Sequence, residues 1–278
     1  MNRIDRRFHA LRQAGRAALV PYVTAGDPDP DFTVPLMHAM VEAGADLIEL
    51  GVPFSDPMAD GPVIQAACER ALAHRVNLRQ VLGMVARFRE RDPATPVVLM
   101  GYLNPVEVMG YEAFAEQAAR SGVDGVLTVD LPPEEGEALW AALEAKDVAP
   151  IFLLAPTSDD ERVRRVAAQA RGFLYYVSLK GVTGAAHLEL ATVKARLGAL
   201  RRLTELPLGV GFGIRDADTA AQVARFADAV VVGSALVRRI QDNLGHREQT
   251  LAEITDLLRQ MRRAMDEAKT AQRQEKTS

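Results

Sequence analysis

The stretch Glu42-Ala-Gly-Ala-Asp-Leu-Ile-Glu-Leu-Gly51 decides the fold, because ten residues hold a helix end, a turn and a strand. The small residues and Gly stop a helix, Asp opens the next strand, and Leu-Ile-Glu-Leu has the apolar density of a short buried one. Similar wording returns as Arg120-Ser-Gly-Val-Asp-Gly-Val126 and as Arg225-Phe-Ala-Asp-Ala-Val-Val231. A repeated helix-to-strand join is the sign of successive βαβ units.

Working outward, eight segments rich in Val, Ile, Leu, Phe or Tyr recur at 18–23, 47–51, 97–101, 125–129, 149–154, 173–177, 208–210 and 229–232. Apolar residues at helical spacing fill the intervals. Eight such units predict a closed (β/α)8 TIM barrel; a doubly wound open sheet would show fewer strands and an early GxGxxG turn. The interval after the second strand is about twice the others. It predicts a loop over 53–61 and two helices, 63–73 and 78–89. The first dozen residues predict an extra helix under the barrel. Pro21, which lacks a ladder donor, predicts a bulge or strand start. Residues 1–265 read as a single barrel domain, with added helices after strand two and at the C-terminus, and 266–278 as a polar, frayed tail.

Bulk properties exclude several classes. The 278 residues are 48% hydrophobic, enough for one large core, and the net charge of −4 lacks the basic field that nucleic acid or an anionic membrane requires. Cys68 is the single cysteine, and the start MNRIDRRF leads into no apolar signal core. No apolar run approaches the roughly 20 residues that span a bilayer. The reading is a soluble cytoplasmic enzyme.

Barrel enzymes carry their chemistry at the C-terminal ends of strands. Glu49 lies there, opposite in direction to Ile48 and Leu50, so it should point into the barrel and exchange protons with a raised pKa. The competing account is a structural acid paired with an arginine. Asp60 comes next, in the proline-stiffened loop PFSDPMADGP, where active-site lids occur, although it could also serve the N-terminus of the next helix. Gly211-Phe-Gly-Ile214 and Gly233-Ser234-Ala235 end the last two strands, the usual phosphate seat of such barrels, unless they are plain turns with Ser234 as a helix cap. Gly184, in the loop Ser178-Leu-Lys-Gly-Val-Thr-Gly184, offers a third amide. Tyr22, Met100, Tyr102, Leu127, Tyr175 and Phe212 would line an apolar mouth suited to a flat substrate. Only Lys180 of the five lysines is near a strand end, and the five histidines show no metal-ligand spacing. Cys68 reads as packing. Proton transfer by carboxylates, assisted by Tyr175, is the chemistry left.

Several phrases together resemble the tryptophan synthase alpha chain family. They are PYVTAGDP at 21–28, LIELGVPFSDPMADGPVIQ at 47–65, GYLNP at 101–105, VDLPPEE at 129–135, GVTG at 181–184, GFGI at 211–214 and VVGSA at 231–235. The likeness covers 1–265. It implies a lyase that cleaves indole-3-glycerol phosphate to indole and glyceraldehyde 3-phosphate, without a cofactor or metal in this subunit. Glu49 would be the acid/base at indole C3 and the glycerol hydroxyl, Asp60 the partner of the indole N–H, and Tyr175 a neighbour of the substrate. Gly184, Gly213, Gly233 and Ser234 would hold phosphate, with Tyr22, Met100, Leu127 and Phe212 around indole. Pro53, Asp56, Pro57, Asn104 and Pro132 would face a beta chain carrying pyridoxal phosphate, in an alpha2-beta2 heterotetramer. The family more often has Phe at Tyr22 and an Arg-containing lid at Leu179-Lys180. Two rivals remain at this point, another phosphate-binding barrel enzyme such as a phosphosugar isomerase, and a non-catalytic activator of the beta chain.

Overall fold

A computed structural model describes residues 2–177, 186–211 and 213–277. Its strands are β1 (Ala18–Thr24), β2 (Ile48–Gly51), β3 (Val97–Gly101), β4 (Gly125–Thr128), β5 (Ala149–Leu154), β6 (Leu174–Val177), β7 (Leu208–Gly211) and β8 (Ala229–Val232). All pair in parallel and in chain order, and β8 returns to β1, which closes the barrel. The helices are α1 (Arg3–Ala14), α2 (Pro30–Glu42), α3 (Pro62–Ala73), α4 (Leu78–Arg89), α5 (Leu103–Met109), α6 (Tyr111–Ser121), α7 (Glu137–Glu144), α8 (Asp160–Gln169), α9 (Ala186–Leu200), α10 (Ala217–Ala224), α11 (Ser234–Asp242) and α12 (Arg247–Thr277).

The alternation of each strand divides two cores. Ile48, Leu50, Val97, Leu99 and Val126 face outward to the helices. Ala18, Val20, Leu47, Val98, Leu127, Ile151 and Phe173 fill the interior. The expected N-terminal helix plugs the lower end, because Ile4, Phe8 and Leu11, spaced to share one helical face, join that interior cluster. Burying each is worth roughly 1.5–3 kcal/mol.

The repeated Asp has a job that its position alone did not disclose. Asp46, Asp124 and Asp228 each accept the N–H of the preceding strand, from Leu19, Val97 and Leu208, at 2.9, 2.8 and 2.9 Å. Arginines neutralise them: Arg262 and Arg7 at Asp46, Arg3 and Arg89 at Asp124, Arg201 at Asp228. The lower rim is therefore laced across the strand seams.

Two expectations are corrected. Pro21 neither starts nor interrupts β1, which continues through it in register with Val232 of β8. The tail does not fray into coil, since α12 runs to Thr277. Met265 and Ala268 are buried along that helix and Asp266 is gripped by Arg16 and Arg262, anchors that polar composition concealed.

Candidate active site

Tyr22 and Glu49 are register neighbours on β1 and β2, Gly51 pairs with Met100, and Met100 with Leu127. This ladder brings four of the residues singled out above to one side of the upper barrel. Leu127 is fully buried, Tyr22 and Tyr175 nearly so, and Met100 half-buried. Two of the neighbouring glycines are required by close approach. A Cβ on Gly51 would lie 2.3 Å from the Tyr22 hydroxyl, and one on Gly211 would lie 2.1 Å from the Tyr175 hydroxyl. Each phenol thus occupies the space of a missing side chain on an adjacent strand.

Glu49 is 2% exposed, and its Oε1 has no hydrogen-bond partner. Among the described residues no arginine or lysine is paired with it, so the structural-acid account fails. Burial first, and the nearby Asp60 second, push its pKa up to about 8. Such a group is mostly protonated at neutral pH and can release and recover a proton there. Burial and the charge of Glu49 also hold the Tyr175 phenol well above its ordinary range. The Tyr175 phenol therefore stays neutral.

Asp60 does not cap α3. That cap is Gly61, without a side-chain bond, while Asp60 Oδ2 accepts the Tyr102 hydroxyl at 2.9 Å. Tyr102 in turn accepts the Ala59 N–H at 3.0 Å and stacks on Phe54 at 5.1 Å between centroids. Gln65 of α3 holds the Asp60 carbonyl at 2.8 Å. Burial raises the Asp60 pKa and the Tyr102 bond opposes the rise. Sequence alone places Tyr102 in the lining without giving it this task. Its position just past β3, beside the loop from β2, was the available signal.

The turns expected to hold phosphate fall partly among the described residues. Gly233 caps α11 without a side-chain bond, and Ser234 is the first helical residue, exposed, so it is not the cap. The open helix start leaves backbone donors and the positive dipole end for an anion. Gly213 is exposed, with nothing within 4 Å of where a Cβ would stand. Gly184, Leu179, Lys180 and Phe212 lie outside the described residues. Cys68 packs with Tyr22, Ile64, Ala67 and Val237, and burial pushes its thiol up to about 11, so it is no nucleophile. No cluster of three or more His, Cys, Asp or Glu suited to a metal occurs among the described residues.

Of the expected interface residues, Asp56 and Asn104 are exposed, Pro57 and Pro132 half-buried, and Pro53 buried. Pro53 therefore shapes the loop from beneath and presents little surface. Met58 on that loop and Val108 of α5 are both 84% exposed, unusual for large apolar side chains.

Residues 8–266 match the model of the family described as tryptophan synthase alpha chain. The chain belongs to the tryptophan synthase alpha chain family. It is 68% identical over 266 residues to the alpha chain of Thioalkalivibrio sulfidiphilus, covering 96% of this chain and 100% of that one. It is 62% identical to that of Methylococcus capsulatus over the same shares. The crystal structure of tryptophan synthase subunit alpha from Legionella pneumophila superposes with a TM-score of 0.90 at 47% identity, covering 96% of this chain and 99% of that one. Membership in the tryptophan synthase alpha chain family makes the chain a lyase of tryptophan biosynthesis that catalyses the alpha reaction, and sets aside the phosphosugar-isomerase and non-catalytic readings.

Proposed function

We propose that Glu49 and Asp60 divide the cleavage of indole-3-glycerol phosphate between them. Protonated Glu49 delivers its proton to indole C3, and positive charge develops toward the ring nitrogen. Asp60 accepts the indole N–H and stabilises that charge, which is greatest in the transition state. The Glu49 carboxylate then takes the proton of the adjacent glycerol hydroxyl. The carbonyl forms, the carbon–carbon bond breaks, and its electrons restore the indole ring. Glu49 ends protonated as it began, so the step consumes no external acid or base.

Tyr175 serves as a neutral donor beside the substrate, and Tyr22, Met100, Leu127 and Phe212 hold the indole. Gly184, Gly213, Gly233 and Ser234 seat the phosphate, the last two at the open start of α11. The observation that carries the reading is Glu49 itself, buried, free of any cation among the described residues and poised near neutral pH.

The family implies a beta-chain partner, and the alpha chain is the subunit that works without a cofactor. Exposed Met58 and Val108 favour a docking face formed by the loop 53–60, α5 with Asn104, and Pro132. An alpha2-beta2 assembly in the cytoplasm, with pyridoxal phosphate in the beta chain, completes the proposal. No helix of the described residues is long and apolar enough to cross a membrane.

Indole release from indole-3-glycerol phosphate, measured for Glu49→Gln with and without a beta chain, tests the assignment. The variant should stimulate the beta chain and make no indole. Retained lyase activity would remove Glu49 from its role.

A further inference from the structure

Tyr22 does more than wall the pocket. Its hydroxyl sits 3.3 Å from Thr24 Oγ1, and either oxygen can be the donor. Two hydroxyls that share one long bond keep at least one O–H unspent. Both groups are buried, Thr24 at 1% exposure and Tyr22 at 7%, so an unspent donor there is costly unless it finds an acceptor.

One acceptor in want of a donor, Glu49 Oε1, is on the neighbouring strand. Tyr22 pairs in register with Glu49, and its hydroxyl lies over Gly51, the next residue of β2 that faces the same way. Successive same-face residues are about 7 Å apart, within the combined reach of a Glu side chain and a phenol. Tyr175 is the rival donor, but its hydroxyl lies over Gly211 of β7, three strands round the barrel from β2. The groups that act on Glu49 or on Tyr22 are Asp60 from the β2 loop, Tyr175 from β6 and Cys68 from α3, with Tyr102 behind Asp60; none is a cation.

We propose that Tyr22 and Thr24 form a positioning relay, Thr24 donating to the Tyr22 oxygen and Tyr22 donating to the Glu49 carboxylate whenever that group is ionised. The relay steadies the charged form once the proton has gone to the substrate, and so lowers the cost of the step in which Glu49 acts as an acid. It rests on the reading of Glu49 as the proton-transfer group, but the hydrogen bond can be measured without any reaction.

The test is a titration of the Glu49 carboxyl carbon by NMR in the intact chain, with Glu49→Gln identifying the resonance. Tyr22→Phe should move the midpoint upward by about one pH unit, as expected for loss of a bond to a charged group. Thr24→Val should move it upward by less, and Thr24→Ser, which keeps the hydroxyl, should leave it in place. In turnover, the alkaline limb of the kcat profile should shift up with Tyr22→Phe by the same amount, with KM changed less than kcat. An unmoved or lowered midpoint in Tyr22→Phe overturns the relay, as does a midpoint that responds to Tyr175→Phe alone. A midpoint that moves as expected while Glu49→Gln retains lyase activity keeps the relay and defeats the catalytic reading instead.

Discussion

At the lower end of the barrel Asp46 and Asp124 are met by arginines and by strand N–H groups, whereas at the mouth Glu49 and Asp60 have each other and the tyrosines Tyr22, Tyr102 and Tyr175. Both ends bury carboxylates in one continuous fold. Burial alone raises a carboxyl pKa, and it does so at Asp46 despite Arg262 and Arg7. With no cation paired to it among the described residues, Glu49 is taken by the same cost to about 8. The carboxylates of the lower rim are spent on holding strands together, while the Glu49 carboxyl bears a cost of burial that a bound proton relieves.

The largest expected break in that contrast comes from Glu49→Gln. Indole formation should fall by about a thousandfold or more, the scale of general acid–base catalysis with one group serving twice. Stability should move the other way. Glu49 titrates at about 8 when folded against an ordinary 4.5, so folding takes up a proton between those values. Stability is then full below 4.5 and declines as pH rises toward 8, by on the order of 4 kcal/mol at most. Urea unfolding at pH 5 and pH 8 should show this decline in the parent chain and a flatter response in Glu49→Gln. A steep decline retained in the variant would remove Glu49 as its source.

Asp124→Ala attacks the other end. It strips Arg89, which is mostly buried, of its carboxylate partner and orphans the Val97 N–H, a loss of roughly 3–5 kcal/mol seen as a lower denaturation midpoint. The rate per folded molecule should stay within about twofold. A large fall in that rate would mean that the two ends are not independent.

Tyr102→Phe asks how finely the mouth is set. Removing the donor to Asp60 should reduce kcat by about tenfold, equivalent to one hydrogen bond, with little change in KM. Equal losses in kcat and affinity would instead make Tyr102 a binding group. Smallest is Val108→Asp, which should weaken the beta-chain complex by about tenfold or less while the isolated lyase rate is unchanged.

Most of the architecture was legible because parallel strands buried on both faces leave dense apolar runs, and all eight runs coincide with strands to within a residue or two. Glu49 stood out for the same reason, a charge within such a run. What stayed hidden depends on contacts distant in sequence. The Tyr102–Asp60 bond spans 42 residues and the Asp124–Arg3 pair 121, and neither spacing has a local pattern. The end of the chain misled for a related reason. Its polarity suggested solvent, but Asp266 is answered by Arg16, 250 residues earlier.

That long reach has a consequence for the order of synthesis. Arg262 of α12 bonds the Ala17 carbonyl at the threshold of β1 and the Asp46 carboxylate at the threshold of β2, across 245 and 216 residues. The β8–β1 seam likewise joins the last strand made to the first. A nascent chain emerging from the ribosome therefore cannot close this ring until β8 and α12 have been made. The final helix then acts as a clasp that fastens the two ends of the ring.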